Sequence, residues 1–118
     1  MHSDDNLIRL EKPINEKTTA VLSVTFKNEN GVDVNPDTAT YTLYDRSTRQ
    51  IINGRNGTTI AGSGATRTIE LVPADNAIIN PVRQTEEHRL LIEYTFGGSG
   101  KAGSSEVQLV IVNLLMKS

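Results

Sequence analysis

The stretch Thr38-Ala39-Thr40-Tyr41-Thr42-Leu43-Tyr44-Asp45 consists almost wholly of β-branched, aromatic and aliphatic residues that alternate in polarity. Such side chains pack well on a pleated surface. A period of two sends Ala39, Tyr41 and Leu43 to one face and the threonines with Tyr44 to the other. The stretch reads as a half-buried strand. Turn signals delimit it at both ends, Pro36-Asp37 before it and Asp45-Arg46-Ser47-Thr48 after it.

Towards the N-terminus the same design recurs. Residues 18–26 set Ala20, Leu22, Val24 and Phe26 against Thr19, Ser23 and Thr25, interrupted only by Val21. Asn30-Gly31 follows, the dipeptide that best tolerates the positive φ of a tight hairpin. Val32 and Val34 then lead back through Asn35-Pro36-Asp37. Residues 1–17 read as a polar arm. Within it, residues 7–11 can form a short first strand, held to an edge or a terminal strap because Pro13 has no amide to give to a ladder. The arm precedes a domain spanning residues 18–118.

Towards the C-terminus, residues 50–53 form a brief edge strand expected to pair back on the first-quoted stretch, and Thr58-Thr59-Ile60 form another. The small residues 61–65 mark a flexible loop. Alternation resumes over residues 66–72, with Ile69 and Leu71 facing inward. Pro73 and Pro81 bracket room for one or two helical turns that cross between sheets. Residues 87–96 place His88, Leu90, Ile92, Tyr94 and Phe96 on one face. The glycine-rich residues 97–105 predict a long mobile hairpin loop. The last strand, residues 106–115, carries Val107, Leu109 and Ile111 on one face and Val110, Val112 and Leu114 on the other. It is therefore either covered on both sides or an interface in an assembly.

Seven or eight strands with regular turn signals and no helix beyond the crossover predict an all-β fold. The expectation is a single antiparallel β-sandwich with an immunoglobulin-like Greek key, and an eight-stranded jelly roll is the alternative. A chain of 118 residues with 36% hydrophobic content suits one domain. A net charge of -2 gives no field that would draw nucleic acid or an anionic membrane. With no cysteine, disulfides, thiolate metal sites and thiol nucleophiles are ruled out. Residues 1–20 include Asp4, Asp5, Glu11 and Glu16 and lack the apolar core of a signal peptide, so synthesis in a cytoplasm without export is expected. The absence of tryptophan weighs against a sugar-stacking or base-stacking platform.

The residues offer little for catalysis. Of the two histidines, His2 lies in the polar terminus and His88 heads a strand beside Glu86, Glu87 and Arg89, where a satisfied edge histidine is the expectation rather than a general base. Asp33 and Asp37 flank Asn35 without the full spacing of a calcium loop, and aspartates in turns commonly accept backbone hydrogen bonds. Gly98-Ser99-Gly100-Lys101 lacks the first glycine and the final serine or threonine of a phosphate loop, and Gly62-Ser63-Gly64 lacks the context of a nucleophile elbow. No enzyme activity, cofactor or metal is expected.

Val24-Thr25-Phe26, Glu29 and Gly31, Thr38 to Asp45, Ile69-Glu70-Leu71, residues 75–80, Glu93-Tyr94-Thr95-Phe96 and residues 110–114 together resemble small β-sandwich proteins of tailed bacteriophage virions. The similarity spans most of residues 18–115 and consists of strand rhythm and turn residues. It implies a non-enzymatic structural protein that decorates or cements a capsid or connects head to tail, located in the virion, with other virion proteins as partners and a homo-oligomeric or symmetric arrangement. The candidate interface residues are Val110, Val112 and Leu114 on the last strand and Arg55, Ser99 and Lys101 in the loops. The alternative is a binding module that presents residues 53–57, 61–65 and 97–105 to a host-surface glycan or protein.

Overall fold

In the structure, a computed structural model, residues 7–9, 13–79, 82–98 and 100–113 are described. Among them the chain forms β1 (Leu7–Arg9), β2 (Ile14–Asn15), β3 (Ala20–Thr25), β4 (Thr38–Asp45), β5 (Thr58–Thr59) and β6 (Thr66–Leu71). A 3-10 turn at Pro73–Asn76 follows, and then β7 (Thr85–Phe96) and β8 (Lys101–Val112). The alternation of the first-quoted stretch is realised in full in β4, where Ala39, Tyr41, Leu43 and Asp45 are buried and the intervening residues are not.

The larger sheet runs in the order β1-β8-β7-β4-β5, with β2 also paired to β8, and β3 and β6 make a separate two-stranded sheet. The fold is all-β, as expected, but the larger sheet is curled and mixed. β4, β5, β7 and β8 pair antiparallel, whereas β1 and β2 run parallel to β8, so the purely antiparallel expectation is corrected. The physical reason is connectivity. A two-residue turn forces antiparallel neighbours, but segments from opposite ends of a chain carry no such constraint.

The core lies between the concave face of the larger sheet and the β3-β6 pair. Leu43, Leu90, Leu109 and Ile111 from the larger sheet meet Ile69 and Leu71 from β6, while Phe26 and Ile60 close the ends from adjoining loops. Each such side chain contributes roughly 1.5–3 kcal/mol on leaving water. Tyr94 packs edge-on to Phe26 at 4.9 Å and donates its hydroxyl to the Lys27 carbonyl at 2.7 Å.

Two local expectations change. The glycine-rich segment is no long loop: Phe96 pairs with Lys101, so the ladder of the two strands extends into it. Gly97 and Gly98 take positive φ there, which closes the turn tightly without steric cost. Lys101 to Ser105 belong to β8, and Gly103 is small because a Cβ there would stand 2.5 Å from the Tyr94 ring. The edge strand expected at residues 50–53 reduces to a single bridge between Tyr44 and Ile51, since Asn53 has a positive φ that breaks the extended run.

Candidate functional site

Three features of the structure bear on function: a buried polar cluster, a second anchored carboxylate and an open sheet edge. The first arises at the end of the β4-β7 ladder, where Asp45 stands directly opposite His88 and Glu86 lies two residues earlier on the same face. All three are fully or almost fully buried. Asp45 accepts through Oδ2 from the Thr48 amide at 3.0 Å and the Thr48 hydroxyl at 2.8 Å, thereby capping the turn after β4. Its Oδ1 has no hydrogen-bond partner. Glu86 Oε1 accepts from the Ile79 amide at 2.8 Å and lies 2.7 Å from His88 Nε2. A carboxylate only accepts, so Nε2 carries the hydrogen in that contact. His88 Nδ1 has no partner.

One oxygen or nitrogen from each of Asp45, Glu86 and His88 lies within 4.8 Å of the others. The Arg83 guanidinium approaches from the solvent side, 3.8 Å from Asp45 Oδ1 and 3.6 Å from Glu86 Oε2, with 31% of its side chain exposed. These distances permit attraction but exceed those of a hydrogen bond. The expectation of a satisfied edge histidine at His88 is therefore corrected, because the residue is fully buried and one ring nitrogen is unpaired. A usable signal existed in the chain: carrying the parity of Tyr41 and Leu43 one step further reaches Asp45, and that of Leu90 and Ile92 carried backward reaches His88 and Glu86.

The second feature is Asp75, fully buried in the 3-10 turn. Its Oδ2 accepts from the Val72 amide at 2.9 Å. Its Oδ1 accepts from Asn53 Nδ2 at 2.8 Å and Arg55 Nε at 3.0 Å. Arg55, a loop residue placed among the interface candidates, thus has an internal partner. The Asp75 carboxylate beside it raises the guanidinium's proton affinity further. Lys101, at the start of β8, pairs with Glu29 of the loop between β3 and β4. Val110 and Val112 are half-buried on the convex face of β8, opposite Glu87 and Thr85. Leu114 and Ser99 lie outside the described residues.

The convex face also carries a polar network beside Leu91 and Ile51. Tyr44 donates to Glu106, Arg89 pairs with both Glu87 and Glu106, and the Arg49 guanidinium lies 5.8 Å from the Tyr44 ring centroid. Burial, followed by the hydrogen bond to Glu106, pushes the Tyr44 phenol above its ordinary value. Asp33 forms an exposed pair with Lys27 at 2.6 Å, and Asp37 is exposed. The structure thus does not bring the two aspartates considered for calcium together with a further ligand among the described residues.

The open edge belongs to β3. It pairs with β6 on one side and with nothing among the described residues on the other. Its sequence, Ala-Val-Leu-Ser-Val-Thr, contains no charge and no proline. Its inward side chains Ala20, Leu22 and Val24 are only partly buried, and Val21 on the outward face is 64% exposed. Beneath this edge a gap of about 180 Å³ opens between Leu22, Val24 and Thr25 on β3 and Leu90, Ile92 and Val107 on the larger sheet.

Together these features define an all-β protein with a curled mixed sheet, a buried ionisable cluster and a strand edge left uncovered among the described residues. No family model matches the sequence, and neither curated proteins nor solved structures give a match to it.

Proposed function

We propose that this protein is a non-enzymatic assembly module that joins a second copy of itself through β3. The observation that carries the reading is the chemistry of that edge. An unpaired strand presents a row of amides and carbonyls that another strand satisfies, and monomeric proteins usually blunt such edges with lysine, proline or a bulge. β3 has none of these in its six residues, while β6, its neighbour, carries Arg67 and Glu70. Antiparallel pairing of β3 with its counterpart in a second copy joins the two small sheets into one of four strands under two-fold symmetry. It also covers the gap beside Leu22 and Val24.

The finer architectural reading is an immunoglobulin-like sandwich. It is supported by the repeated passage of the chain between the two sheets, β3 on the small one, β4 and β5 on the larger, β6 on the small one and β7 and β8 on the larger. On the resemblance of residues 18–115 to small β-sandwich proteins of tailed bacteriophages, the assembly is a virion part, and repeated self-contact suits a symmetric particle. Capsid and portal genes beside its coding sequence are the expected neighbourhood; a setting of unrelated metabolic genes would remove the virion reading.

Sedimentation velocity over a wide concentration range tests the contact. The expected result is a concentration-dependent dimer that Ser23→Lys dissolves without lowering the melting temperature of the monomer, because Ser23 is exposed. A monomer at every concentration would sink the proposal. So would a dimer that survives Ser23→Lys but is lost in Val112→Asp, which places the contact on the convex face of β8.

A further inference from the structure

We propose that Asp45, Glu86 and His88 form a binding site for a divalent first-row metal ion of the zinc type. The argument begins with what is left unmatched. Buried polar atoms are almost always hydrogen-bonded, and an unpaired one costs free energy. Here Asp45 Oδ1 is such an atom, on a fully buried side chain directly opposite His88, whose Nε2 already lies 2.7 Å from Glu86. No interaction between the Asp45 carboxylate and the His88 ring closes within 4.0 Å, yet one ligand atom from each of the three residues lies within 4.8 Å of the rest. The space between them has the size of a small bridging species rather than of a direct contact.

Charge favours a cation as that species. Among the described residues the Arg83 guanidinium faces both buried carboxylates, and it stays beyond hydrogen-bond distance from Asp45 Oδ1 and Glu86 Oε2. A divalent ion would offset both carboxylates and release Arg83 towards solvent, where part of its side chain already lies. The donor set selects the class of ion. Imidazole nitrogen with carboxylate oxygen and no thiolate suits zinc and its neighbours, whereas magnesium and calcium prefer six or more oxygens. Tetrahedral binding at about 2.1 Å sets ligand atoms roughly 3.4 Å apart, so Asp45 needs to draw in by about 1 Å while the Glu86–His88 contact, now 2.7 Å, opens and the ring hydrogen moves from Nε2 to Nδ1. The rigid ladder between β4 and β7 holds Asp45 and His88 in register while they do so, and Thr48 already fixes the Asp45 carboxylate from behind.

The test uses the full-length protein after stripping with a chelator. Addition of Zn²⁺ is expected to raise the melting temperature, and Co²⁺ to give the visible absorption bands of a site with nitrogen and oxygen ligands. Mg²⁺ at the same concentration is expected to do neither. Asp45→Asn, close in shape to the native residue, should abolish the bands. Arg83→Gln, which alters a partly exposed side chain and removes a competing positive charge, should tighten Zn²⁺ binding on the order of tenfold. Absence of both the thermal shift and the cobalt bands in the native chain would overturn the proposal and leave a buried water as the bridging species. An equal shift with Mg²⁺, or bands that persist in Asp45→Asn, would overturn it as well by placing the ion elsewhere. Arg83→Gln that weakens binding would do the same, since the guanidinium would then be part of the site. These readouts are independent of self-association through β3.

Discussion

Tyr44 shows how a single residue couples the convex face to pH. Its ring stands on the β4 row that faces away from the core, its hydroxyl donates to Glu106 on β8, and Arg49 lies over its face. Burial first, and then the Glu106 hydrogen bond, raises the folded-state pKa above the ordinary value near 10.0. Tyr41 on the buried row is raised too, chiefly by burial, with Arg55 acting in the opposite sense. A group whose folded pKa is raised holds its proton more tightly when folded. Its contribution is complete below the unfolded pKa and is lost as pH climbs through the folded one. Stability is therefore expected to fall above pH 10, and Tyr44→Phe is expected to make that fall shallower while costing some stability at neutral pH through the lost hydrogen bond. Urea titrations at a series of alkaline pH values measure the slope. An unchanged slope in the variant would show that Tyr44 does not contribute to it.

Among the elements, β4 combines local pattern and packing most completely. Leu43 is fully buried between β7 and the 50–55 segment, giving its amide to the Arg55 carbonyl at 2.8 Å and accepting from the Ile52 amide at 2.9 Å. Thr42, one residue away, is only half-buried, and its hydroxyl accepts from the Gly57 amide at 3.0 Å. Leu43→Ala is expected to cost about 2–5 kcal/mol through lost burial and a residual cavity. Thr42→Ala is expected to cost about 1 kcal/mol, the value of one exposed hydrogen bond. Chemical denaturation of the two variants compares the faces directly, and equal costs would contradict the assignment of inside and outside. The alternation of β4, β3, β6 and β7 was readable from the chain because a strand's side chains report their face at period two. At Asp45 two signals in the chain conflict: the parity of Tyr41 and Leu43 points it inward, while a charged residue followed by turn formers looks like an exposed boundary, and the opposing strand decides for burial.

For the whole molecule, the arrangement of the sheets implies an uneven distribution of stability. β7 is hydrogen-bonded on both sides, to β4 and to β8, whereas among the described residues β3 and β6 pair only with each other. Amide exchange is therefore expected to be slowest along β7 and fastest, among the strands of six residues or more, along β3 and β6. Exchange measured at a dilution that keeps the protein monomeric tests this ranking. On raising the concentration, the amides of β3 alone are expected to gain protection if that edge pairs with a second copy. Uniform protection of both strands would argue that the small sheet is covered by something other than self-pairing.

By itself, the chain determined that this protein is all-β, where most of its strands lie, which of their faces are buried and that a helical turn follows Pro73. All of these follow from local periodicity and turn chemistry. The tertiary structure decided the parallel pairing of β1 and β2 with β8, the shortening of the glycine-rich turn, the anchoring of Arg55 on Asp75, the open edge of β3 and the meeting of Asp45, Glu86 and His88. The reason is physical: period-two alternation specifies the face to which a side chain points, whereas the residue opposite it is set by register between segments far apart in the chain, here more than forty residues for Asp45 and His88.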